Sequence, residues 1–460
     1  MAALEKTAKH QSTFSRRHLL RAAAGGAAGA GALATGARAA RAVSAIQGKE
    51  IKLTYWHGWT EQWEEMVQFV VDMFHEKQSR IRIEPKVVPW DQFIPKLTAA
   101  IASGNPPDLV TLFGSTAIPT LADQEAIVPI NDLIDLPATQ SWVDPNVLKL
   151  GEYNGQLFGL SYWAGCYSLL YNKQHFVEAE LDPEVGPATI ADLDTLAERL
   201  TVRQDNGNID RMGFLPNSGE FWLWGTVFGG DFYDEENQKV TANDPKLVEA
   251  LTWYQAYAEK YDAKKVAAFN EGLASERAQN LDPFIAGKYA IQSQGPWKLG
   301  DIQKFADEGL DYGVVPPPLA GPEGVPSNWT WGDIQIVPKG SKDPAAAAEF
   351  VQFTAGVGDP EGYAKRVVWG DRPINVPVSK SVLEVPSFQE VVKNYAGFQT
   401  FIDSLLGAER VGSPPVMPAA AFYNDRLTAM MDRVMLMEGA PQQALDALTE
   451  EVQKELDKSL

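Results

Sequence analysis

Apolar and polar residues alternate from Ile51 through Leu53 and Tyr55, with Lys52 and Thr54 between them, and this predicts a strand that ends at the turn His57-Gly58-Trp59. The period then lengthens. Met66, Val67, Val70 and Phe74 recur at helical spacing and predict an amphipathic helix over 63–76. Ile81-Arg82-Ile83 with Val87-Val88 reads as a second strand, and 90–103 as a second helix stopped by Gly104-Asn105-Pro106-Pro107. A third strand follows over 108–113. Strand, helix, strand, helix, strand in this order implies an α/β fold with a parallel sheet between helices, and such folds place ligands at the carboxyl ends of the strands.

The next informative stretch is 155–173. It opens on the turn Tyr153-Asn154-Gly155 and carries no charge from Leu157 to Asn172, with small residues at Gly159, Ser161, Ala164 and Gly165. The pattern fits a buried core strand. It equally fits a strand crossing between two lobes with Tyr162-Trp163 presented at the crossing, since neither face would then meet bulk water. Downstream, helices are predicted over 189–200 (capped by Thr189), 246–261 and 344–354, a strand over 334–337, and long amphipathic helices from 418 to 456. Pro316-Pro317-Pro318 through Pro326 is stiff and cannot join a ladder, which suits a second passage between lobes.

At 460 residues the chain exceeds one ordinary domain, so two lobes are expected. Thirteen tryptophans are a heavy load. Many neighbour Gly, Pro or another Trp, as Trp56, Trp59, Trp222, Trp224, Trp297, Trp329, Trp331 and Trp369 do, which places them at loop mouths where the apolar face of a sugar ring can stack. The net charge of -20 hides an asymmetry: residues 1–42 hold seven basic residues against Glu5 alone. The strongly acidic remainder repels nucleic acid and anionic lipid. Ser15-Arg16-Arg17-His18-Leu19-Leu20-Arg21, then an Ala/Gly-rich run and A-x-A sites at 37–39 and 40–42, reads as a twin-arginine export signal over 1–42. Cys166, the single cysteine, excludes an internal disulfide, and no cysteine near the cleavage sites offers a lipid anchor. A periplasmic or extracellular protein follows.

Three segments resemble the extracellular solute-binding proteins of ABC importers, the maltose-binding-like family. Ala102-Ser103-Gly104-Asn105-Pro106-Pro107-Asp108-Leu109-Val110 resembles its [AS]-G-x-x-P-D-[LIV] element. Residues 155–173, ending Leu170-Tyr171-Asn172-Lys173, resemble its first crossover. Phe284-Ile285-Ala286-Gly287-Lys288-Tyr289-Ala290-Ile291 followed by Gly295-Pro296-Trp297 resembles F-x-x-G-K-x-A-[MI]...G-P-W. The resemblance implies a type II periplasmic-binding-protein-like fold: two lobes, each a sheet flanked by helices, joined by a hinge around a ligand cleft. The lobes are expected at 43–163 plus 328–372 and at 164–327 plus 373–460. It further implies a monomer that binds carbohydrate without a cofactor and serves permease subunits driven by a separate ATPase. Trp297 inherits the family's sugar-stacking role. Trp331 stands where the family usually has glycine, which narrows the site, and Asp371-Arg372-Pro373-Ile374-Asn375 matches the return crossover.

Stacking is expected from Trp297 and from some of Trp56, Trp59, Trp163, Trp222, Trp224, Trp329 and Trp331, with one of Trp222 and Trp224 facing core. Phe113 and Ser115 lie at the end of the third strand, and Tyr423 in the tail. Glu61, Glu220, Asp333 and Asp371 are expected to accept from sugar hydroxyls. The chain lacks G-x-S-x-G, G-x-x-x-x-G-K-[ST] and H-E-x-x-H, and its mature part keeps only His57, His75 and His175, so catalytic and metal residues are not expected. Two alternatives compete: a secreted glycosidase with paired carboxylates, and a receptor for an anionic solute such as a glycerophosphodiester, resting on Arg372.

Overall fold

A computed structural model of the chain describes residues 50–277, 282–306, 310–369, 372–373 and 375–459; the export signal lies outside them. The alternating start forms the strand Ile51–His57, which pairs in parallel with Ile81–Val87 on one side and Leu109–Phe113 on the other. Asp333–Ile336 adds antiparallel to Leu109–Phe113, and Gly159–Ser161 pairs antiparallel with Asp333–Ile336 at the far edge. The connecting helices, Gln62–Lys77 and Trp90–Ala102, bury the apolar faces read from their spacing, Met66, Val67 and Phe74 on the first, Phe93 and Leu97 on the second. The expected parallel order is therefore present, and a late strand of opposite direction completes the sheet.

Asp108 fastens that sheet. It is wholly buried, and its carboxylate accepts from the Thr54 backbone N–H at 2.8 Å, the Thr54 hydroxyl at 2.9 Å and the Lys342 backbone N–H at 2.7 Å. Gly104, at φ +73, ends the preceding helix in a conformation that favours glycine. Asp108 thus serves the fold of this sheet.

A second sheet has Ser168–Asn172 at its centre, with Ile291–Gln294 and Tyr312–Val315 antiparallel on either side. Around it lie Ile190–Leu200, opened by a capping box between Thr189 and Asp192, and Pro245–Tyr261, whose Leu251, Tyr254 and Tyr257 enter an aromatic core with Phe214 and Trp224. The last helices, Ala420–Met435 and Pro441–Leu456, bury Leu427, Met431, Leu445 and Leu448.

The stretch 155–173 is not one strand. Gly159–Ser161 belongs to the first sheet and Ser168–Asn172 to the second, and the backbone between them leaves both ladders. There the Ala164 N–H donates to the Val376 carbonyl at 2.8 Å and the Gly165 N–H to the Trp331 carbonyl at 2.7 Å. A charge-free run looks continuous in sequence because the crossing is as apolar as the strands it links. The prolines of 316–326 also sit differently from expectation. Leu319 bridges Thr189 beside the second sheet, Ser327–Trp329 pairs with Arg410–Gly412, and the chain reaches the first sheet only at Asp333.

Replacing Asp108 with Asn turns one of these accepting oxygens into a donor facing donors, and is expected to cost about 2 kcal/mol of unfolding free energy. Urea denaturation checks this; an unchanged midpoint would contradict the role given to Asp108.

Candidate functional site

Where the chain crosses between the sheets, three aromatic side chains from distant segments meet. The Tyr167 ring lies 4.8 Å from that of Trp331 at an interplanar angle of 33°, and Trp297 stands edge-on to both, 5.9 Å from Trp331 and 6.4 Å from Tyr167. All three are partly exposed. Two glycines admit them: a Cβ on Gly165 would lie 2.4 Å from the Trp331 ring, and one on Gly295 would lie 1.9 Å from the Trp297 ring. Trp297 opens the helix Trp297–Phe305, pinned by the next residue: the buried Lys298 ammonium donates to Asp282 at 2.5 Å and to Asp301 at 3.3 Å.

Trp59 gathers a second group on the first sheet's side. Its ring lies 5.9 Å from Trp163, 6.0 Å from Phe113, 5.5 Å from Trp90 and 5.6 Å from Trp63. Phe113 is 61% exposed, an unusual outlay of apolar surface at the end of a sheet strand. Glu61, exposed beside this group, holds φ 54, a strained conformation for a residue with a side chain. In a third group Trp222 stacks on Trp329 at 5.4 Å and 20°, and its indole N–H donates to the Asn424 side-chain oxygen at 3.2 Å.

Two carboxyls are buried among these rings. Asp333 is 1% exposed and accepts from the Tyr162 hydroxyl at 3.3 Å, with the Trp59 indole beside it but outside hydrogen-bond geometry. Glu220, 7% exposed, has Ser293 and Trp224 alongside, yet its Oε2 has no partner. Burial away from any cation pushes each carboxyl up to about 8.

The structure brings Trp297 and Trp331 together and joins Trp59, Phe113 and Trp163 in the neighbouring group. It sorts the 222/224 pair: Trp222 is half-buried, whereas Trp224 is fully buried against Phe214 and Trp253 and presents no surface. Tyr423 is likewise fully buried, its hydroxyl donating to the Phe232 carbonyl at 3.1 Å. Trp329 is 5% exposed, stacked under Trp222, and Ser115 is buried. Trp56 lies under the Lys86 ammonium and makes no ring contact with the Trp59 group. Arg372 lies in a short strand paired with Val368–Trp369, and its side chain and Asp371 fall outside the described residues. Sequence reading passed over Tyr167, Trp63, Trp90, Gln292 and Ser293. For Tyr167 a signal existed in the aromatic flanks of the crossing; for Gln292 and Ser293 there was none.

Two sheets, each flanked by helices, with aromatic side chains gathered where the chain passes between them, define a ligand-receptor fold of the maltose-binding type. The comparisons agree. A family model described as bacterial extracellular solute-binding protein matches residues 70–400, and the chain belongs to that family. The solved structure of CpMnBP1 with mannotriose bound is 27% identical, covers 88% of this chain and all of that one, and superposes with a TM-score of 0.71. The sugar-binding protein MalE of Xanthomonas citri, 19% identical over 88% of this chain and 98% of its own, superposes at 0.70 and shares the fold. Among curated relatives, the sn-glycerol-3-phosphate-binding periplasmic protein UgpB of Brucella abortus is 26% identical over 284 residues, 58% of this chain, and the match spans 61% of that relative's length. The diacetylchitobiose binding protein DasA of Streptomyces coelicolor is 23% identical over 60% of this chain and 63% of its own.

Because both buried carboxyls keep their protons to about pH 8 when folded and lose them near pH 4 when unfolded, their contribution to stability is complete below about pH 4 and is lost as pH rises toward 8. Asn titrates in neither state. The Tm of Asp333→Asn minus that of the wild type is therefore expected to grow between pH 4 and 8, as scanning calorimetry can show; a constant difference would contradict the burial argument.

Proposed function

We propose that this chain is the extracytoplasmic substrate-binding component of an ABC importer and that its ligand is a sugar or oligosaccharide. In this reading 43–163 plus 328–372 closes against 164–327 plus 373–460, and the closed form is presented to permease transmembrane subunits powered by a separate ATPase. Export through the twin-arginine signal of 1–42 would deliver it, as a monomer without a lipid anchor, to the periplasm or the cell exterior. Among the described residues no helix is long and apolar enough to cross a membrane.

The observation that carries the reading is the meeting of Tyr167, Trp297 and Trp331 at the crossing, each partly exposed and each contributed by a different segment. Flat partly exposed rings with polar groups beside them suit a neutral polyhydroxylated ligand. Similar proteins point the same way: the solved relatives include one bound to mannotriose and a receptor, GacH, in complex with acarbose. Closure is a population shift driven by contacts that only the closed form makes with the ligand.

A glycosidase needs one carboxylate ionised as base or nucleophile. Glu220 and Asp333 both stay protonated at neutral pH, which argues against them as such a pair. The UgpB relatives favour a second reading, a receptor for an anionic glycerol ester. Against it, the pocket beside Glu220 carries Glu220 and Asp432 and, among the described residues, is lined by neither Lys nor Arg.

Thermal-shift screening with mono-, di- and oligosaccharides and with glycerol 3-phosphate tests the proposal. Saccharides are expected to raise the Tm and to be recovered intact, with no shift from glycerol 3-phosphate; a shift from the phosphate alone, or reducing ends accumulating with time, would overturn it. Trp297→Ala is expected to weaken saccharide binding about tenfold or more with the circular dichroism unchanged, and unaltered affinity would remove Trp297 from the site.

A further inference from the structure

A pocket of about 430 Å³ opens between the segment 215–220, the helix Ala263–Arg277, the strand Ile291–Gln294 and the last turn of Ala420–Met435. Its size suits a small ligand or one residue of a longer one. Three polar atoms on its walls are buried without a hydrogen-bond partner: Glu220 Oε2, Gln292 Oε1 and Ser293 Oγ. Glu220 and Ser293 are 7% and 5% exposed. Unsatisfied buried polar atoms are rare enough in folded proteins to require a reason, and three on one pocket share one.

All three atoms can accept once Glu220 has given up its proton. Asp432 stands at the exposed rim, so the charged groups on the wall, Glu220 and Asp432, are both acidic, while the Asn217 and Asn270 side-chain oxygens are taken up by the Gly219 N–H at 2.9 Å and the Tyr289 hydroxyl at 3.4 Å. Among the described residues no Lys or Arg lines the pocket. A sugar hydroxyl offers one donor and then demands donors in return; an ammonium offers three donors and a positive charge and demands none. We infer that this pocket receives the ammonium group of an amino-substituted saccharide, held by Glu220, Gln292 and Ser293 with Asp432 at the entrance.

The surroundings of Glu220 fit this role. The groups that face it are Tyr167, Tyr254, Ser293 and Trp224, none of them cationic, and burial therefore keeps the carboxyl protonated in the empty protein, up to about 8. An entering ammonium supplies the missing charge, and the carboxyl gives up its proton to solvent. A phosphate would meet two acidic groups instead. Position also fits: the strand Ile291–Gln294, which carries Gln292 and Ser293, runs directly into Gly295 and Trp297, so a saccharide stacked on Trp297 and Trp331 has this pocket on the same segment.

The inference rests on the saccharide-receptor reading, and matched ligand pairs separate the two. Isothermal titration at pH 7 compares glucosamine with glucose, galactosamine with galactose, and the β-1,4-linked glucosamine disaccharide with cellobiose. At least one amino sugar is expected to bind about tenfold tighter than its neutral partner, the scale of a charge-assisted hydrogen bond. Glu220→Gln is expected to bring that ratio to within about twofold of unity. Because Glu220 is buried, Asp432→Asn at the rim is the second variant, expected to lower the ratio with the circular dichroism unchanged. Neutral sugars binding as well as their amino partners, or a ratio indifferent to both substitutions, would overturn the ammonium site and leave the receptor reading standing. If neither set binds, both fall.

Discussion

The fold turns on a short piece of backbone that belongs to neither sheet. Between Ser161 and Ser168 the chain leaves one ladder and enters another, and isolated bonds tie it to the other segments that pass the same place: Ala164 and Val376 exchange backbone bonds, Gly165 donates to Trp331, the Asn328 side chain pairs with the Tyr167 backbone, and the Tyr363 hydroxyl donates to the Tyr162 carbonyl. Isolated bridges rather than a continuous ladder hold this crossing, and the proposed lobe closure would need its hinge at such a place. The same spot must also admit large rings. Gly165 and Gly295 do this by having no side chain where Trp331 and Trp297 lie. In the proposed reading, closure and recognition share one set of residues.

Around the crossing, polar groups are held in an unsettled state. Asp333 and Glu220 are buried without cations, and their protonation makes burial tolerable in the absence of a countercharge. Neither is needed to complete a structural network in the way that Asp108 is, with its full set of donors. The contrast is informative: a carboxylate saturated by its own protein serves the fold, and one left short of partners beside a pocket is available to something else.

Much of this was legible in the amino-acid pattern. The change of period between Ile51 and Phe74, the stop at Gly104 to Pro107 and the cap at Thr189 are local signals, and each element formed within a residue or two of its expected ends. The Pro344–Thr354 helix matched fully. The break at 162–167 was not legible, because apolar character persists through it and only distant partners, Trp331 for Gly165 and Val376 for Ala164, interrupt the strand. Trp222 and Trp224, two apart on a helix, had to face different ways, but which way depended on Phe214 and Trp253. Trp329 and Trp331 diverge likewise, one to Trp222 and the other to Trp297. Burial of acidic residues carries no local mark, so the state of Glu220 and Asp333 emerges only from tertiary packing.

The most direct measurement is a crystal structure of the mature protein with the saccharide that stabilises it most. A sugar ring is expected in van der Waals contact with Trp297 and Trp331, with the two sheets drawn together about 162–167 relative to the unliganded form. A ligand seated away from that crossing, or one bound with no change in the angle between the sheets, would contradict the role assigned here to the hinge and its aromatic rings.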